Sequence, residues 1–376
     1  MTKPKQIRLG YLYEPHGSHP SGWRHAGGRH DPFNAAQIVE LARLAEAGRF
    51  DFFAIGDKLT ADANDAADPA LAARTEPFTT ASFLATRTSR IGLLVTANAS
   101  YYEPYNLARL TASLDHVTHG RAVWNIATGA SAPAAKNYSQ SEADAAAHYG
   151  RAGEAVDVIR ELWDSWEDGA FIRDKATGAF VDGDKIHPIN HQGQLFSVKG
   201  PLNVARPPQG QLVLAHEAGT PLANELAARE ADIVLARPAD SAAGKALRDE
   251  LRQAALAQGR DPDALSVLVE ITPFVGETDA AANALLAELN ALGGRISGTV
   301  IVGGPERIAD ELAAWVAAGA ADGFIVRSAT LPDQLAQFVE RVIPELQARG
   351  LARTEYRATT LRDNLELPAV PNRLVA

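Results

Sequence analysis

The stretch that decides the fold begins at Ala122-Val123-Trp124-Asn125-Ile126-Ala127-Thr128-Gly129 and resumes, after a polar loop, at Tyr149-Gly150-Arg151-Ala152-Gly153-Glu154-Ala155-Val156-Asp157-Val158-Ile159-Arg160-Glu161-Leu162-Trp163-Asp164-Ser165-Trp166-Glu167-Asp168-Gly169-Ala170. The first piece is a short apolar run ending in a hydroxyl and a glycine, as a buried strand does. In the second, Ala152, Ala155, Val156, Ile159, Leu162, Trp163 and Trp166 recur at three- and four-residue steps. The opposite face carries Glu154, Asp157, Arg160, Glu161 and Asp164. This is one stripe of an amphipathic helix, laid against something larger and anchored there by two Trp. Tyr149 stands at its N-terminal end, where a polar side chain can face a ligand.

The same strand-then-helix unit repeats on both sides. Upstream, residues 7–13 read as a strand, 34–47 as a helix capped by Asn34, 50–55 as a strand ending at Gly56-Asp57, 77–88 as a helix, 91–95 as a strand ending in Thr96-Ala97-Asn98, and 104–117 as a helix. Downstream, strands at 212–215, 233–236, 265–275, 299–302 and 323–326 alternate with helices at 221–230, 241–258, 279–292, 305–318 and 331–349. Some eight repeats with no break in composition predict one (β/α)8 TIM barrel domain over residues 1–376, with a long insertion after the fourth helix (168–208) and a largely irregular C-terminal extension from 350. An open doubly wound sheet is the competing architecture, but no glycine fingerprint opens a first strand-to-helix turn. In a barrel, Asp57, Thr96, Asn98, Thr128, His216 and Glu217 all fall at the C-terminal ends of strands, the face where barrel enzymes build their sites.

Composition narrows the function. No run of residues has the length and apolarity of a membrane span, and the N-terminus has no signal-peptide core, so a cytoplasmic protein is expected. The absence of cysteine excludes disulfides, thiolate metal sites and cysteine nucleophiles. A net charge of −10 disfavours sequence-independent nucleic-acid binding. No His-Glu-x-x-His pattern is present, so no metal site is expected. Among the ten histidines, His19 and Arg24 follow the first strand within reach of an anionic substrate, whereas His187 and His191 lie on the insertion. His216 beside Glu217 is the most suggestive pair, and His19 and His216 are the catalytic candidates. Neighbouring strand residues point to opposite faces, so only one of His216 and Glu217 faces the site.

Several motifs, in order, carry a resemblance. They are Gly17-Ser18-His19-Pro20 with Trp23-Arg24, Gly48-Arg49-Phe50-Asp51, Tyr102-Glu103-Pro104-Tyr105-Asn106-Leu107-Ala108-Arg109, Ser113-Leu114-Asp115-His116, Gly120 to Thr128, Leu162 to Glu167, Arg206-Pro207-Pro208-Gln209-Gly210, Gly304-Pro305-Glu306-Arg307 and Ala321-Asp322-Gly323-Phe324. The chain resembles the bacterial-luciferase-like flavin monooxygenases, in the nitrilotriacetate, dibenzothiophene-sulfone and pristinamycin branch. The resemblance implies a two-component monooxygenase. A separate NAD(P)H:flavin reductase supplies FMN as FMNH2, and a flavin C4a-(hydro)peroxide formed with O2 oxygenates a small-molecule substrate. It further implies a homodimer or homotetramer and flavin contacts from Asp57, Thr96, Asn98 and Tyr149, with Thr220 at the FMN phosphate. Thr220-Pro221 also reads as a helix cap followed by a first-turn proline, and a helix N-terminus attracts anions.

The chain departs from the family pattern at Ala145 in place of a histidine, at His148 in place of an arginine, and at His216-Glu217-Ala218 in place of Gln-Ala-Gly. It also lacks the long segment the family carries between residues 292 and 299. Two alternatives share the fold: an F420-dependent hydride-transfer oxidoreductase, and a flavin-binding barrel without catalysis.

Overall fold

Eight parallel strands close on themselves in the order β1, β2, β3, β4, β7, β8, β9, β11, back to β1. The structure is a computed structural model that describes residues 6–26, 28, 31–61, 73–129, 131–140 and 144–375. Residues 1–5 of the N-terminal segment, most of the polar loop at 60–75 and parts of the loop at 130–143 lie outside the described residues. The strands are β1 (Arg8–Tyr13), β2 (Phe52–Ile55), β3 (Gly92–Asn98), β4 (Ala122–Ala127), β7 (Val213–Glu217), β8 (Ile233–Ala236), β9 (Ser266–Val275) and β11 (Gly323–Val326). Around them lie α1 (Ala35–Ala47), α2 (Pro77–Ala85), α3 (Pro104–Thr118), the short α4 (Ala132–Asn137), α5 (Ala145–Asp164), α6 (Pro221–Glu230), α7 (Ser241–Ala257), α8 (Asp279–Leu292) and α9 (Pro305–Ala317). This is the expected (β/α)8 barrel. Caps written in the sequence set the helix starts: Asn34 accepts from the N–H groups of Ala36 and Gln37, and Asp144, Thr220, Asp240 and Thr278 each cap their own helix.

The eighth of the nine predicted strands, β10 (Thr299–Gly303), stands outside the closed ring. It pairs with the outer half of β9, from Ile271 to Val275, while the inner half of β9 pairs directly with β8 and β11. Both α8 and α9 therefore lie between two adjacent barrel strands.

Two layers of core follow from the two-residue period of the strands. Outward-facing side chains such as Tyr11, Phe53, Leu93, Trp124 and Leu214 pack under the helices. Inward-facing Phe52, Ala54, Leu94, Val123, Val213, Ala215, Ile233, Leu268 and Ile325 fill the barrel. Gly10 is inward as well, and a β-carbon there would come within 2.4 Å of the Phe52 ring; its lack of a side chain gives Phe52 its place.

The C-terminal extension is more ordered than its composition suggests. A short helix, α12 (Leu361–Asn364), brings Leu361 and Leu365 into the inner barrel cluster and closes the N-terminal end of the barrel. Arg8 donates to the Asn364 carbonyl, and Arg362 donates to the carbonyls of Gln211 and Leu212. Arg353 pairs with the buried Asp51, whose other oxygen accepts from the Leu9 N–H at 2.7 Å.

Upstream of the extension, the predicted helix at 331–349 is instead α10 (Asp333–Gln337), a wider turn over Phe338–Val342, and α11 (Ile343–Ala348). Pro344 has no N–H to continue a regular helical ladder there.

The insertion after α5 carries a small hairpin, β5 (His191–Gln192) and β6 (Ser197–Val198), and leans on that helix. Glu154 accepts from the N–H groups of Leu195 and Phe196, His191 Nδ1 meets Glu161 at 3.0 Å, and His187 Nε2 meets Glu167 at 2.7 Å. Helix α5 itself starts at Ala145, earlier than its apolar stripe begins, because Asp144 supplies a cap. Tyr149 therefore sits in its second turn. The helix ends at Asp164, and Trp166 lies beyond it, donating to the Leu202 carbonyl at 2.8 Å.

Candidate active site

One more step of the strand alternation reaches the C-terminal mouth of the barrel. There each strand contributes one inward position: Glu14, Gly56, Thr96, Asn125, Glu217, Arg237, Glu270 and Arg327. All but Arg327 line a cavity of about 290 Å³, together with Asp57, Arg74 and an apolar floor of Leu12, Ala54, Leu94, Leu235 and Ile325. Polar groups over an apolar floor suit a ligand with a flat apolar body and polar edges.

On one wall the Asn125 amide donates to Thr96 Oγ1 at 3.1 Å. Its Oδ1 is buried and has no hydrogen-bond partner among the described residues. A buried acceptor without a partner is costly, so this atom is set for a donor that a ligand brings. Asp57 lines the same cavity. Burial holds the Asp57 carboxyl above its ordinary value and the negative charge of Glu76 adds to this, while the Lys58 N–H bond and Arg74 act against the rise. On the facing wall, charges from four strands connect. Arg327 holds both oxygens of Glu14 at 2.8 and 2.9 Å and reaches Glu270 at 2.7 Å, and the second Glu270 oxygen accepts from Arg237 Nε at 2.9 Å.

His216 and Glu217 divide as adjacent strand residues must. Glu217 points into the barrel mouth, and His216 points outward, buried between β7 and α5. Its Nδ1 donates to the Ile126 carbonyl at 2.6 Å, which leaves Nε2 as an acceptor without a partner among the described residues. Burial lowers the pKa of this imidazole, so the neutral form prevails near pH 7. The Tyr149 ring meets it edge to face at 6.0 Å. Four residues on, Thr220 caps α6, accepting from the Ala223 N–H at 3.2 Å at an exposed helix N-terminus. Gly219 beside it has φ of +142°, and among the described residues no atom lies within 4 Å of where a β-carbon would stand.

The sequence-derived candidates thus fall into groups. Asp57 and Thr96 share the cavity; Tyr149 and His216 share a ring contact behind it, with Thr220 at the adjoining helix end. Asn98 is the buried last residue of β3, at the start of the following turn, where its amide donates to the Gly129 carbonyl at 2.6 Å and its Oδ1 accepts from the Ser100 N–H at 2.9 Å. In that same turn Ser100 Oγ lies 2.9 Å from His148 Nδ1. His19 stands apart from the cavity lining. Its Nδ1 accepts from the Ser21 N–H and its Nε2 is 3.4 Å from Asn290 Oδ1, so the ring ties the loop after β1 to the end of α8. Arg24 and Ser21 add bonds to the carbonyls of Leu292 and Gly293, and this loop lies against the short link of residues 293–298.

Sequence reasoning did not single out Asn125, Glu14, Arg237, Glu270 or Arg327. The available signal was a charge inside the apolar run of β9 at Glu270, and charged residues one step past the apolar runs of β8 and β11.

Comparison with known proteins agrees with this geometry. The family model described as luciferase-like monooxygenase matches residues 16–294. N-acetyl-S-(2-succino)cysteine monooxygenase of Bacillus subtilis (strain 168) is 34% identical over 438 aligned positions that cover 99% of each chain. Nitrilotriacetate monooxygenase component A of Aminobacter aminovorans is 36% identical over 449 positions, again covering 99% of each. Both alignments are longer than the 376 residues of this chain, so both relatives carry segments it lacks. The structure of EDTA monooxygenase from Chelativorans sp. BNC1 superposes with a TM-score of 0.86 at 31% identity, covering 97% of this chain and 99% of that one. Barrel, mouth and full-length likeness agree: the chain belongs to the luciferase-like monooxygenases, flavin-dependent oxidoreductases.

Proposed function

We propose that the protein is the oxygenase component of a two-component system in the cytoplasm, a homodimer or homotetramer that accepts FMNH2 from a separate NAD(P)H:flavin reductase and oxygenates a small organic compound with O2. The observation that carries the reading is the buried Asn125 Oδ1 in the barrel-mouth cavity, which has no hydrogen-bond partner among the described residues, in a cavity also lined by Glu217 and Ala218 on the segment that leads to the Thr220 cap. The residues present fit a flavin mononucleotide. The exposed N–H groups of α6 with Thr220 suit a phosphate. Asn125 Oδ1 suits a ring N–H, Asp57 and Thr96 line the same cavity, and Tyr149 stands against His216 behind it.

Bound reduced flavin supplies the electrons that activate O2. The chain binds, orients and shields. Leu12, Leu94, Leu235 and Ile325 keep the floor of the cavity dry, which protects a reactive centre from water. Neutral His216 holds Nε2 ready to accept a hydrogen bond behind Tyr149, in a pocket where a cation is disfavoured. His19 serves by holding the loop after β1 over the α8 end. Component A in one relative's name supports a separate reductase, and full-length relatives named as monooxygenases support this reading over F420-dependent hydride transfer.

Reconstitution tests the proposal. Purified protein with FMN, NADH and a flavin reductase should bind the flavin at micromolar levels, and Asn125→Leu should weaken FMN and riboflavin alike by about tenfold, the value of one buried hydrogen bond. If neither FMN nor FMNH2 binds at micromolar concentration, the reading is lost.

A further inference from the structure

The charged chain across the cavity mouth is tight at one end and loose at the other. Glu14, Arg327 and Glu270 have side chains only 14, 16 and 11% exposed and are joined by bonds of 2.7 to 2.9 Å. Arg237 and Glu217 are 59 and 56% exposed, and the nearest approach of their charged atoms is 3.9 Å, too long for a hydrogen bond. Arg237 spends its Nε on Glu270, which fixes the plane of its guanidinium. Among the described residues neither Nη atom makes a hydrogen bond, so the outer edge of the fork is presented at the cavity. An ion pair as exposed and as long as Arg237 with Glu217 contributes little and is easily displaced.

The geometry points to Arg237 as the anchor for a carboxylate group of the substrate, with Glu217 as the counter-charge that the substrate carboxylate displaces. The inference rests on the reading of this cavity as the flavin monooxygenase site, and it names the substrate class: small compounds carrying at least one carboxylate. The planar fork matches two carboxylate oxygens, and Glu270, itself held by Arg327, fixes the fork before the ligand arrives, so little freedom is lost on binding. Counted over the described residues of the mouth, four carboxylates, Glu14, Asp57, Glu217 and Glu270, face three guanidiniums, Arg74, Arg237 and Arg327, so an incoming carboxylate has to displace one of the four. Glu14 and Glu270 are matched by direct contact with Arg327 and Arg237, and Asp57 faces Arg74 on the other wall. Among the described residues Glu217 is held only by its long, exposed contact with Arg237 at 3.9 Å, and it is the group an incoming carboxylate must move aside. The two rim residues are therefore expected to act in opposite senses.

The experiment is calorimetric titration of the FMN-loaded protein with succinate, glutarate and citrate, and with dimethyl succinate as the uncharged control. Wild type, Arg237→Gln, Arg237→Lys and Glu217→Gln are compared, and the FMN affinity of each preparation is measured first. At least one of the three carboxylates should bind, with succinate, if it binds, at least tenfold tighter than its dimethyl ester. Arg237→Gln should weaken carboxylate binding by about tenfold or more, Arg237→Lys should restore part of it, and Glu217→Gln should tighten it severalfold. Binding of none of the three carboxylates, equal affinity for succinate and its ester, or unchanged affinity in Arg237→Gln overturns the inference while FMN binding persists. Weaker binding in Glu217→Gln does so too. Absence of FMN binding overturns the flavin reading beneath it, so the two failures are told apart.

Discussion

Replacing Thr220 by Asp tests the phosphate end of the site without disturbing the fold. Aspartate is as good a helix cap as threonine, and its charge favours the N-terminus of α6, so stability should hold or rise slightly. The Ala223 N–H that now meets Thr220 Oγ1 at 3.2 Å would meet a carboxylate oxygen instead. A flavin phosphate seated on the same N–H groups would then lie ~5 Å from a fixed negative charge. Thr220 is exposed, so the dielectric is close to that of water. Coulomb's law gives ~0.8 kcal/mol per unit charge at that distance, or ~1.5 kcal/mol for a phosphate of nearly two charges. That corresponds to roughly a tenfold rise in the dissociation constant of FMN. Fluorescence titration reads this directly, with riboflavin as the control because it has the same ring and no phosphate. Its affinity should not change, and the FMN defect should shrink in high salt, where the Debye length falls to ~3 Å. FMN binding as tight as in wild type, or a parallel loss for riboflavin, would place the phosphate elsewhere and refute the argument.

Two further predictions concern the scaffold. Asp115 is buried, and its carboxyl is pushed up to about 6 by desolvation, against the opposing bonds from Gln209 and Ala122. An acid whose folded pKa exceeds its unfolded value of 3.8 binds its proton more tightly in the folded state, so it favours folding at low pH and loses that contribution as pH rises through 6. The urea stability of wild type relative to Asp115→Asn should therefore improve by about 2 kcal/mol between pH 7.5 and 4, and a pH-independent difference would contradict this. Leu361, 1% exposed in the inner barrel cluster, should lose about 3 kcal/mol of stability on conversion to Ala, with FMN affinity unchanged because the plug and the mouth occupy opposite ends of the barrel.

Much of the fold was legible because a parallel barrel writes itself locally: apolar runs, caps and helix stripes needed no distant partner to be recognised. What local pattern does not carry is register. β10 has the composition of a barrel strand, and only the direct pairing of β9 with β11 reveals that it stands outside the ring. The same holds at the site. Strand alternation required that either His216 or Glu217 face the mouth, but choosing Glu217 takes the ring position that Ile126 and Tyr149 give to His216. Glu270 was visible as a charge in an apolar strand. Its partners Arg237 and Arg327, 33 and 57 residues away, become neighbours only when the barrel closes. Asn98, by contrast, has strand-end chemistry and spends it on its own turn.

The plug at the N-terminal end of the barrel has a bearing on biosynthesis. Arg8 in the first strand bonds the carbonyl of Asn364, 356 residues later, and Leu361 completes the packing around Phe52, Val123 and Val213. A nascent chain can form its strand–helix units one after another, yet the lower end of their shared interior stays wet until the segment around 361 has left the ribosome. Contacts this far apart in sequence slow folding, and apolar surface waiting for them is prone to association. Ribosome stalling or premature termination upstream of residue 350 should consequently yield fragments that keep helical structure but precipitate, making this protein a demanding client for chaperones that act during translation.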